Sequence, residues 1–260
     1  MLTARQQIEA ITTWKRHLGS GTLPRIDGWE WAAYASENDW PGGDYFDVQL
    51  LNDGQWLVFL ADASGHGGAA AVMAALAHMV LRSCPLTSGQ DRAPFCPIHG
   101  PTQTPPIILS RLNHVLVENS LDEQFMTALL GQWKPASARL DFVVAGHPLP
   151  RCWRQARQHV ETVLNRAGLP LGISPAETYP LSHVTFEPGD AIVIFTDGLI
   201  EMRNSQSEMF GIARLHAIIQ ETAPEGAEAV KAGLLAGLEE FSQGNRDQDD
   251  VTFLVLKRWD

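Results

Sequence analysis

Aspartates that border long apolar segments are the residues of this sequence best suited to chemistry. Asp62 follows the uninterrupted apolar segment of residues 56–61, which is typical of a strand buried on both faces. Burying an unpaired carboxylate is costly unless a cation or several donors hold it in the charged form. Asp62 is therefore either a cation ligand or an acceptor for the glycine-rich turn of residues 64–68.

A second carboxylate, that of Asp44, is predicted to lie opposite Asp62. Residues 45–51 form another candidate strand, and the Asn-Asp-Gly sequence centred on Asp53 is a strong signal for a tight turn. Asp44 lies nine residues before Asp53 and Asp62 lies nine residues after it, so this turn pairs the two carboxylates across the ladder. Directly paired positions are roughly 4.5 to 5.5 Å apart, so the charges repel unless one is protonated or a multivalent cation lies between them.

The same pattern recurs further along the chain. Asp197 follows the apolar residues 191–195 and precedes a glycine, while Asp249 and Asp250 directly precede the apolar residues 251–256. A strand that runs opposite to its neighbours begins where they end, so four carboxylates can lie at one rim: Asp44, Asp62, Asp197 and Asp249 or Asp250. Ligands that are all oxygen atoms favour a hard divalent cation, Mg²⁺ or Mn²⁺, over zinc.

Length, charge and cysteine content limit the class of protein. The chain has 260 residues, 45% of them hydrophobic, and a formal net charge of -11. That size fits one domain with a large core, and the acidic charge disfavours nucleic acid, which needs a basic face. No segment approaches the roughly 18 to 20 uninterrupted apolar residues that span a membrane, and Cys84, Cys96 and Cys152 fit a reducing compartment. We therefore expect a cytoplasmic protein with no membrane or nucleic-acid partner.

Helices and further strands must position these carboxylates. Helical periodicity or apolar runs predict helices over residues 69–81, 107–119, 212–221 and 225–241, and strands over residues 125–133 and 140–145. A proline-rich segment near residues 84–106 is predicted to be a surface insertion. In residues 1–20, the helical stripe of Ile8, Ile11, Trp14 and Leu18 predicts an amphipathic helix and a candidate regulatory or dimer contact. Residues 21–260 are then the functional domain.

Six short motifs, in this order, resemble those of the bacterial PPM-type serine/threonine phosphatases. Within that group the sequence is similar to the sporulation stage II E branch, which are relatives of protein phosphatase 2C, over roughly residues 23–257. The motifs are Gly42-Gly43-Asp44, Asp62-Ala63-Ser64-Gly65-His66-Gly67, Ala145-Gly146-His147-Pro148, Gly168-Leu169-Pro170-Leu171-Gly172, Thr196-Asp197-Gly198-Leu199 and Asp249-Asp250-Val251-Thr252.

The resemblance implies a fold, an activity and a set of ligands. The fold is α+β, a four-layer αββα sandwich of two antiparallel sheets flanked by helices. The activity is hydrolysis of phosphoserine or phosphothreonine on a regulatory protein, an anti-sigma-factor antagonist in this branch, through a metal-activated water. Two divalent cations, Mn²⁺ or Mg²⁺, are held by Asp44, Asp62, the carbonyl of Ala63, Asp197 and Asp249. The four aspartates are then the catalytic residues, with Asp250 the alternative to Asp249.

Other interpretations involve a different use of the same fold or of nearby side chains. A phosphatase-like scaffold that binds a signalling partner without turnover is the alternative, although all the acidic motif positions are present. His66 is either a proton donor or phosphate contact, or a residue of the turn that faces solvent. The resemblance makes His147 a fold-stabilising neighbour of the site. Cys84, Cys96 and His99 lack an evident fourth ligand, so a zinc site is not favoured.

Overall fold

The structure is a computed structural model that describes residues 23–36, 43–51, 54–65, 67–83, 104–119, 124–163, 166–243 and 249–259. The helix predicted over residues 1–20, His66 and the proposed zinc ligands Cys84, Cys96 and His99 lie outside the described residues. So does most of the proline-rich insertion.

Within the described residues there are ten strands and five α-helices. The strands are β1 (Trp29–Ala35), β2 (Asp44–Leu50), β3 (Trp56–Ala63), β4 (Met126–Lys134), β5 (Arg139–Ala145), β6 (Arg151–Arg154), β7 (His159–Thr162), β8 (Ser182–Thr185), β9 (Ala191–Phe195) and β10 (Thr252–Arg258). The α-helices are α1 (Gly68–Ser83), α2 (Pro105–Asn119), α3 (Gly198–Glu201), α4 (Gly211–Thr222) and α5 (Ala227–Ser242). They belong to two compact units, which are described separately below.

The first unit includes residues Asn38–His147 and Asn165–His183. Its sheet has the strand order β2-β3-β4-β5-β8, and the β2–β3, β3–β4 and β4–β5 pairs are antiparallel. Helices α1 and α2 pack on this sheet through a buried apolar cluster that includes Met73, Leu81, Leu109 and Leu116. The alternation of side chains along each strand therefore leaves one face of the sheet to the helices.

The second unit includes residues Leu23–Glu37, Pro148–Leu164 and Val184–Asp260. Its sheet has the order β1-β10-β9-β6-β7, with antiparallel pairs throughout. Its apolar cluster joins the sheet to helices α3, α4 and α5, with Phe195 and Phe253 from the strands and Leu199, Leu215 and Leu234 from the helices. The predicted class, α+β with two antiparallel sheets flanked by helices, is confirmed.

Several predicted boundaries are wrong by one to three residues. The second and third strands include Asp44 and Asp62 themselves, because both residues continue the ladder. Helix α2 begins at Pro105, inside the segment predicted to be an insertion, since proline is tolerated in the first turn of a helix. The last predicted helix begins too early. Residues Ala223–Glu225 form a 3₁₀ turn, Gly226 follows with a φ of 134°, and α5 begins only at Ala227. In the part of the chain that the structure describes, no helix has the length and apolarity to cross a membrane.

Candidate functional site

The first acidic pair lies on neighbouring strands of the first unit. Asp44 and Asp62 are direct partners in the antiparallel β2–β3 ladder, so the pairing predicted by counting from Asp53 is confirmed. Asp44 is buried, with 9% of its surface exposed, and Asp62 is partly exposed. The sheet register therefore places two carboxylates on one rung, where their mutual repulsion favours a cation between them.

Gly43 allows the end of β3 to approach Asp44 closely. The amide of Ala63 donates to the Gly43 carbonyl at 3.1 Å. A Cβ at position 43 would overlap the carbonyl oxygen of Ala63 and would lie 2.6 Å from Oδ1 of Asp62. Only glycine leaves this space empty, so the acidic pair and the Ala63 carbonyl share one narrow region of the first unit.

The turn after Ala63 is fixed by the segment that precedes β4. The Ser64 amide donates to the Phe125 carbonyl at 2.8 Å, and the Phe125 amide donates to Oγ of Ser64 at 3.0 Å. Gly65 and Gly67 have φ values of 78° and 81°, which glycine adopts without steric cost. The backbone after Asp62 is thus held on one side by the bond from Ala63 to Gly43 and on the other by the bonds between Ser64 and Phe125.

Thr127 and His147 continue the row of polar residues across the sheet. Thr127 is the direct β4 partner of Asp62, and its hydroxyl shares a hydrogen bond of 2.8 Å with Nδ1 of the buried His147. His147 is thus hydrogen-bonded to the residue that lies beside Asp62 in the sheet. The sequence did not reveal Thr127, because a long segment without a countable turn separates β3 from β4.

The second acidic pair lies in the second unit. Asp197 directly precedes α3 with φ -62° and ψ -28°, and its carbonyl accepts hydrogen bonds of 2.9 Å from the amides of Ile200 and Glu201. Burial raises the pKa of the Asp197 carboxyl, and the negative charges of Glu201 and Asp249 raise it further. Hydrogen bonds from the backbone amides of Gly198 and Asp197 partly offset this rise. Asp249 therefore lies close enough to repel Asp197, and Glu201 is a neighbour that sequence reasoning missed.

The two consecutive aspartates before β10 differ in environment. Asp249 is exposed, whereas Asp250 is buried with 8% of its surface accessible, and the Asp250 amide donates to Oδ1 of Asp249 at 2.8 Å. A Cβ at Gly198 would overlap the Asp250 carbonyl oxygen and would lie 3.5 Å from Cβ of Asp249. Gly198 therefore allows this segment to lie against the start of α3, as Gly43 does for the first pair.

Hydroxyl groups hold the second pair in place. The Thr196 amide donates to the Thr252 carbonyl at 2.9 Å, and the Thr252 amide donates back to Oγ1 of Thr196 at 3.0 Å. Ser36 makes a similar pair of bonds with Val251, both of 2.8 Å. Thr196, which precedes Asp197, and Val251, which follows Asp250, are thus each held by two hydrogen bonds.

The structure brings the predicted ligands together as two pairs, one in each unit. The first comprises Asp44 and Asp62 with the Ala63 carbonyl, and the second comprises Asp197 and Asp249. No group of three or more His, Cys, Asp or Glu side chains suited to a metal ion occurs within the described residues of the chain. The donors are nevertheless oxygen atoms on paired acidic residues, and this chemistry fits a hard divalent cation.

An α+β protein with two helix-flanked antiparallel sheets and acidic pairs where strands begin or end has the features of the PPM-type phosphatase class. Comparison with known proteins gives the family. Residues 52–259 match the stage II sporulation protein E (SpoIIE) family, and the chain belongs to it. The predicted resemblance is therefore confirmed.

Two curated relatives illustrate the similarity. The phosphoserine phosphatase RsbU of Bacillus subtilis is 25% identical over 258 residues, which are 98% of this chain and 70% of that protein. Protein IcfG of a Synechocystis species is 22% identical over an alignment of 256 residues that covers 91% of this chain and 39% of that protein. The chain thus spans well under half the length of IcfG.

Solved structures agree with the fold. The RsbU and RsbW domains of a Mycobacterium tuberculosis protein superpose with a TM-score of 0.70 at 25% identity, covering 91% of this chain and 61% of that one. The SiaA PP2C domain of Pseudomonas aeruginosa gives a TM-score of 0.68 at 21% identity, covering 88% of this chain and 85% of that one.

Proposed function

We propose that this protein is a metal-dependent phosphatase that hydrolyses phosphoserine or phosphothreonine on a regulatory protein. The observation that carries the proposal is the Asp44–Asp62 pair, which the sheet register holds on one rung beside the Ala63 carbonyl. Membership of the SpoIIE family supports it, as does similarity to RsbU and RsbP of Bacillus subtilis, both named phosphoserine phosphatases.

We assign the metal ligands as Asp44, Asp62, the carbonyl of Ala63, Asp197 and Asp249. When bound, two divalent cations supply a water of lowered pKa and neutralise charge on the phosphoryl group. The four carboxylates carry four negative charges, so without compensation they would repel a phosphate dianion. In the first unit, Thr127 and His147 hold the strand beside Asp62, and in the second, Thr196 and Thr252 fix the backbone around Asp197.

Mn²⁺ and Mg²⁺ both suit these ligands. Asp249 is preferred to Asp250 because the charge of Asp249 raises the pKa of Asp197, which places the Asp249 carboxylate beside that of Asp197. Comparing the activities of Asp249→Asn and Asp250→Asn tests this choice.

A cysteine-dependent mechanism is disfavoured. Burial raises the pKa of the Cys152 thiol to about 12, so the thiolate needed for attack is scarce at neutral pH. None of the three cysteines in the sequence is followed by arginine six residues later, as a phosphate-binding Cys-x5-Arg loop requires.

The proposed substrate is a phosphorylated anti-sigma-factor antagonist in the cytoplasm. RsbU and RsbP support this choice as relatives, and the superposed Mycobacterium tuberculosis structure contains an RsbW domain together with an RsbU domain. We further propose that residues 1–20, which lie outside the described residues, mediate a homodimer. Removing residues 1–18 should then change the mass measured by light scattering, and an unchanged mass would contradict this part of the proposal.

The test is phosphate release from p-nitrophenyl phosphate and from a phosphorylated anti-sigma-factor antagonist. Protein stripped with a chelator should be inactive on both, and Mn²⁺ or Mg²⁺ should restore turnover because the proposed ligands are all oxygen atoms. Full turnover by stripped protein would contradict the metal-dependent mechanism. Tight binding of the phosphoprotein without turnover in the presence of Mn²⁺ would instead support the scaffold function.

A further inference from the structure

Three exposed apolar side chains lie on two neighbouring segments, one of which is bonded to the turn that follows Asp62. Phe125, Leu169 and Ile173 are 38%, 48% and 52% exposed, and we call them the apolar rim. Phe125 is hydrogen-bonded through its backbone to Ser64, two residues after Asp62. Through Phe125, the apolar rim is therefore connected to the backbone that carries candidate metal ligands of the first unit.

The loop that carries Leu169 and Ile173 runs beside the Phe125 segment. Leu171 and Met126 exchange backbone hydrogen bonds of 2.8 and 2.9 Å. A Cβ at Gly172 would lie 3.6 Å from Cα of Phe125. The two segments are thus in direct contact, and their exposed side chains belong to one region of the surface.

The loop is held firmly at both of its ends. At one end, Gly168 donates to the Val144 carbonyl and accepts from the Gly146 amide, both at 2.9 Å. At the other end, the fully buried Asn113 accepts from the Gly172 amide at 2.9 Å and donates to the Ser174 carbonyl at 2.8 Å. The apolar side chains are therefore presented on a fixed backbone, which lowers the entropy cost of binding a partner.

The packing of the loop does not require the exposed side chains. Leu171 is fully buried in the apolar cluster under α1 and α2, so this side chain anchors the loop. Leu169 and Ile173 remain half exposed, although burying apolar surface is worth about 25 cal/mol per Å². Apolar residues grouped on the surface of a soluble protein mark an interaction site more often than isolated ones do.

Charge indicates what kind of contact such a surface makes. The chain carries a net charge of -11, and a phosphorylated partner adds further negative charge, so long-range attraction gives little help to their association. Apolar contact is a source of affinity that does not depend on opposite net charges. A small phosphate ester at the acidic pair presents no apolar protein surface, whereas a folded phosphoprotein does.

We propose that Phe125, Leu169 and Ile173 form a docking surface for an apolar patch beside the phosphorylated residue of a folded protein substrate. This inference rests on the proposed phosphatase function and specifies the substrate as a folded protein.

The experiment compares Leu169→Ser and Ile173→Ser with Leu50→Ser as the matched control. Leu50 is 53% exposed and lies at the opposite end of β2 from Asp44. The substrates are p-nitrophenyl phosphate and the phosphorylated anti-sigma-factor antagonist, both with Mn²⁺. Each rim variant should lower kcat/KM for the phosphoprotein about 10-fold, mainly by raising KM, because truncating an anchor at an interface costs affinity.

The same rim variants should hydrolyse p-nitrophenyl phosphate at the wild-type rate, and the Leu50→Ser control should be unchanged with both substrates. The docking proposal is overturned if the rim variants retain full activity on the phosphoprotein, or if they lose activity on both substrates equally. It is also overturned if the wild type turns over the small ester but not the phosphoprotein. A wild type inert towards both substrates would instead reject the phosphatase function itself.

Discussion

The two acidic pairs are built in different ways. Asp44 and Asp62 are opposite residues of an antiparallel ladder, so backbone hydrogen bonds along two whole strands fix their spacing. Asp197 lies between a strand and a one-turn helix, and the exposed Asp249 lies shortly before a strand. The first pair is therefore set by sheet register, whereas the second depends on the segments just beyond the end of β9 and just before the start of β10. Substitutions should affect the two pairs through different routes.

A glycine performs the same task in both pairs. Gly43 leaves space for the Ala63 carbonyl, and Gly198 leaves space for the Asp250 carbonyl. In each case a backbone oxygen occupies the position where a side chain would begin. Both local structures therefore require glycine, because a Cβ atom would overlap a backbone oxygen in each.

The largest effect is expected from removing one carboxylate charge. Asp62→Asn keeps the side-chain volume but should lower phosphatase activity at least ~100-fold, because a lost metal ion removes several kcal/mol of transition-state stabilisation. Asp197→Asn and Asp249→Asn should have effects of the same size if both pairs bind metal. Steady-state phosphate release measures this, with circular dichroism to verify folding and the exposed Asp27→Asn as control. Near wild-type turnover by Asp62→Asn would contradict the assignment.

A smaller but still large effect is expected from filling the glycine spaces. Gly43→Ala and Gly198→Ala should each lower activity roughly 10-fold or more, because the new Cβ displaces a backbone that positions ligands. Gly68→Ala is the matched control, since a Cβ there has no neighbour within 4 Å. Rates and Mn²⁺ affinity are measured for all three variants. If only Gly43→Ala is impaired, the two pairs do not share this requirement.

The next effect distinguishes the two adjacent aspartates. Asp250→Asn should lower activity less than about 10-fold, because Asp249 is the neighbouring carboxylate whose charge raises the pKa of Asp197. The comparison is with Asp249→Asn under the same Mn²⁺ concentration. A larger loss in Asp250→Asn than in Asp249→Asn would exchange their roles.

The smallest effect on activity is expected at Asp47, on the same strand as Asp44. Its fully buried carboxylate accepts hydrogen bonds from Tyr45 at 3.1 Å, Gln49 at 2.5 Å and Arg82 at 2.9 Å. Asp47→Asn leaves part of this group unsatisfied, so the free energy of unfolding should fall by about 1–3 kcal/mol. Denaturant unfolding measures the change.

Glu118→Gln is the control for Asp47→Asn, because it breaks an exposed pair with His114 that is worth about 0.5 kcal/mol or less. Equal stability of the two variants would show that the Asp47 hydrogen bonds do not stabilise the fold. If Asp47→Asn instead lost Mn²⁺ affinity and kept its stability, Asp47 rather than Asp44 would be the metal ligand on β2.

The sequence predicted the pairing of strands that are close in the chain and joined by a recognisable turn. A two-strand hairpin with a clear turn has one natural register, and this is why the Asp44–Asp62 pair followed from position 53 alone. Pairing between distant segments has no such guide, so the pairing of Thr127 with Asp62 came only from the structure. The Gly198 space and the Asn113 hydrogen bonds likewise require the fold, since each joins segments more than 50 residues apart. Short strands such as β6, β7 and β8 carry too few residues for a periodic signal.

The most direct test is equilibrium binding of Mn²⁺ to chelator-stripped protein, measured by isothermal titration calorimetry on the wild type and on Asp62→Asn. The account predicts that the wild type binds Mn²⁺ and that Asp62→Asn, while folded, binds fewer ions or binds them at least ~10-fold more weakly, because the remaining Asp44 supplies only half of the paired charge. Identical stoichiometry and affinity in the two proteins, or no binding by the wild type, would contradict the claim that this rung of the sheet holds a divalent cation.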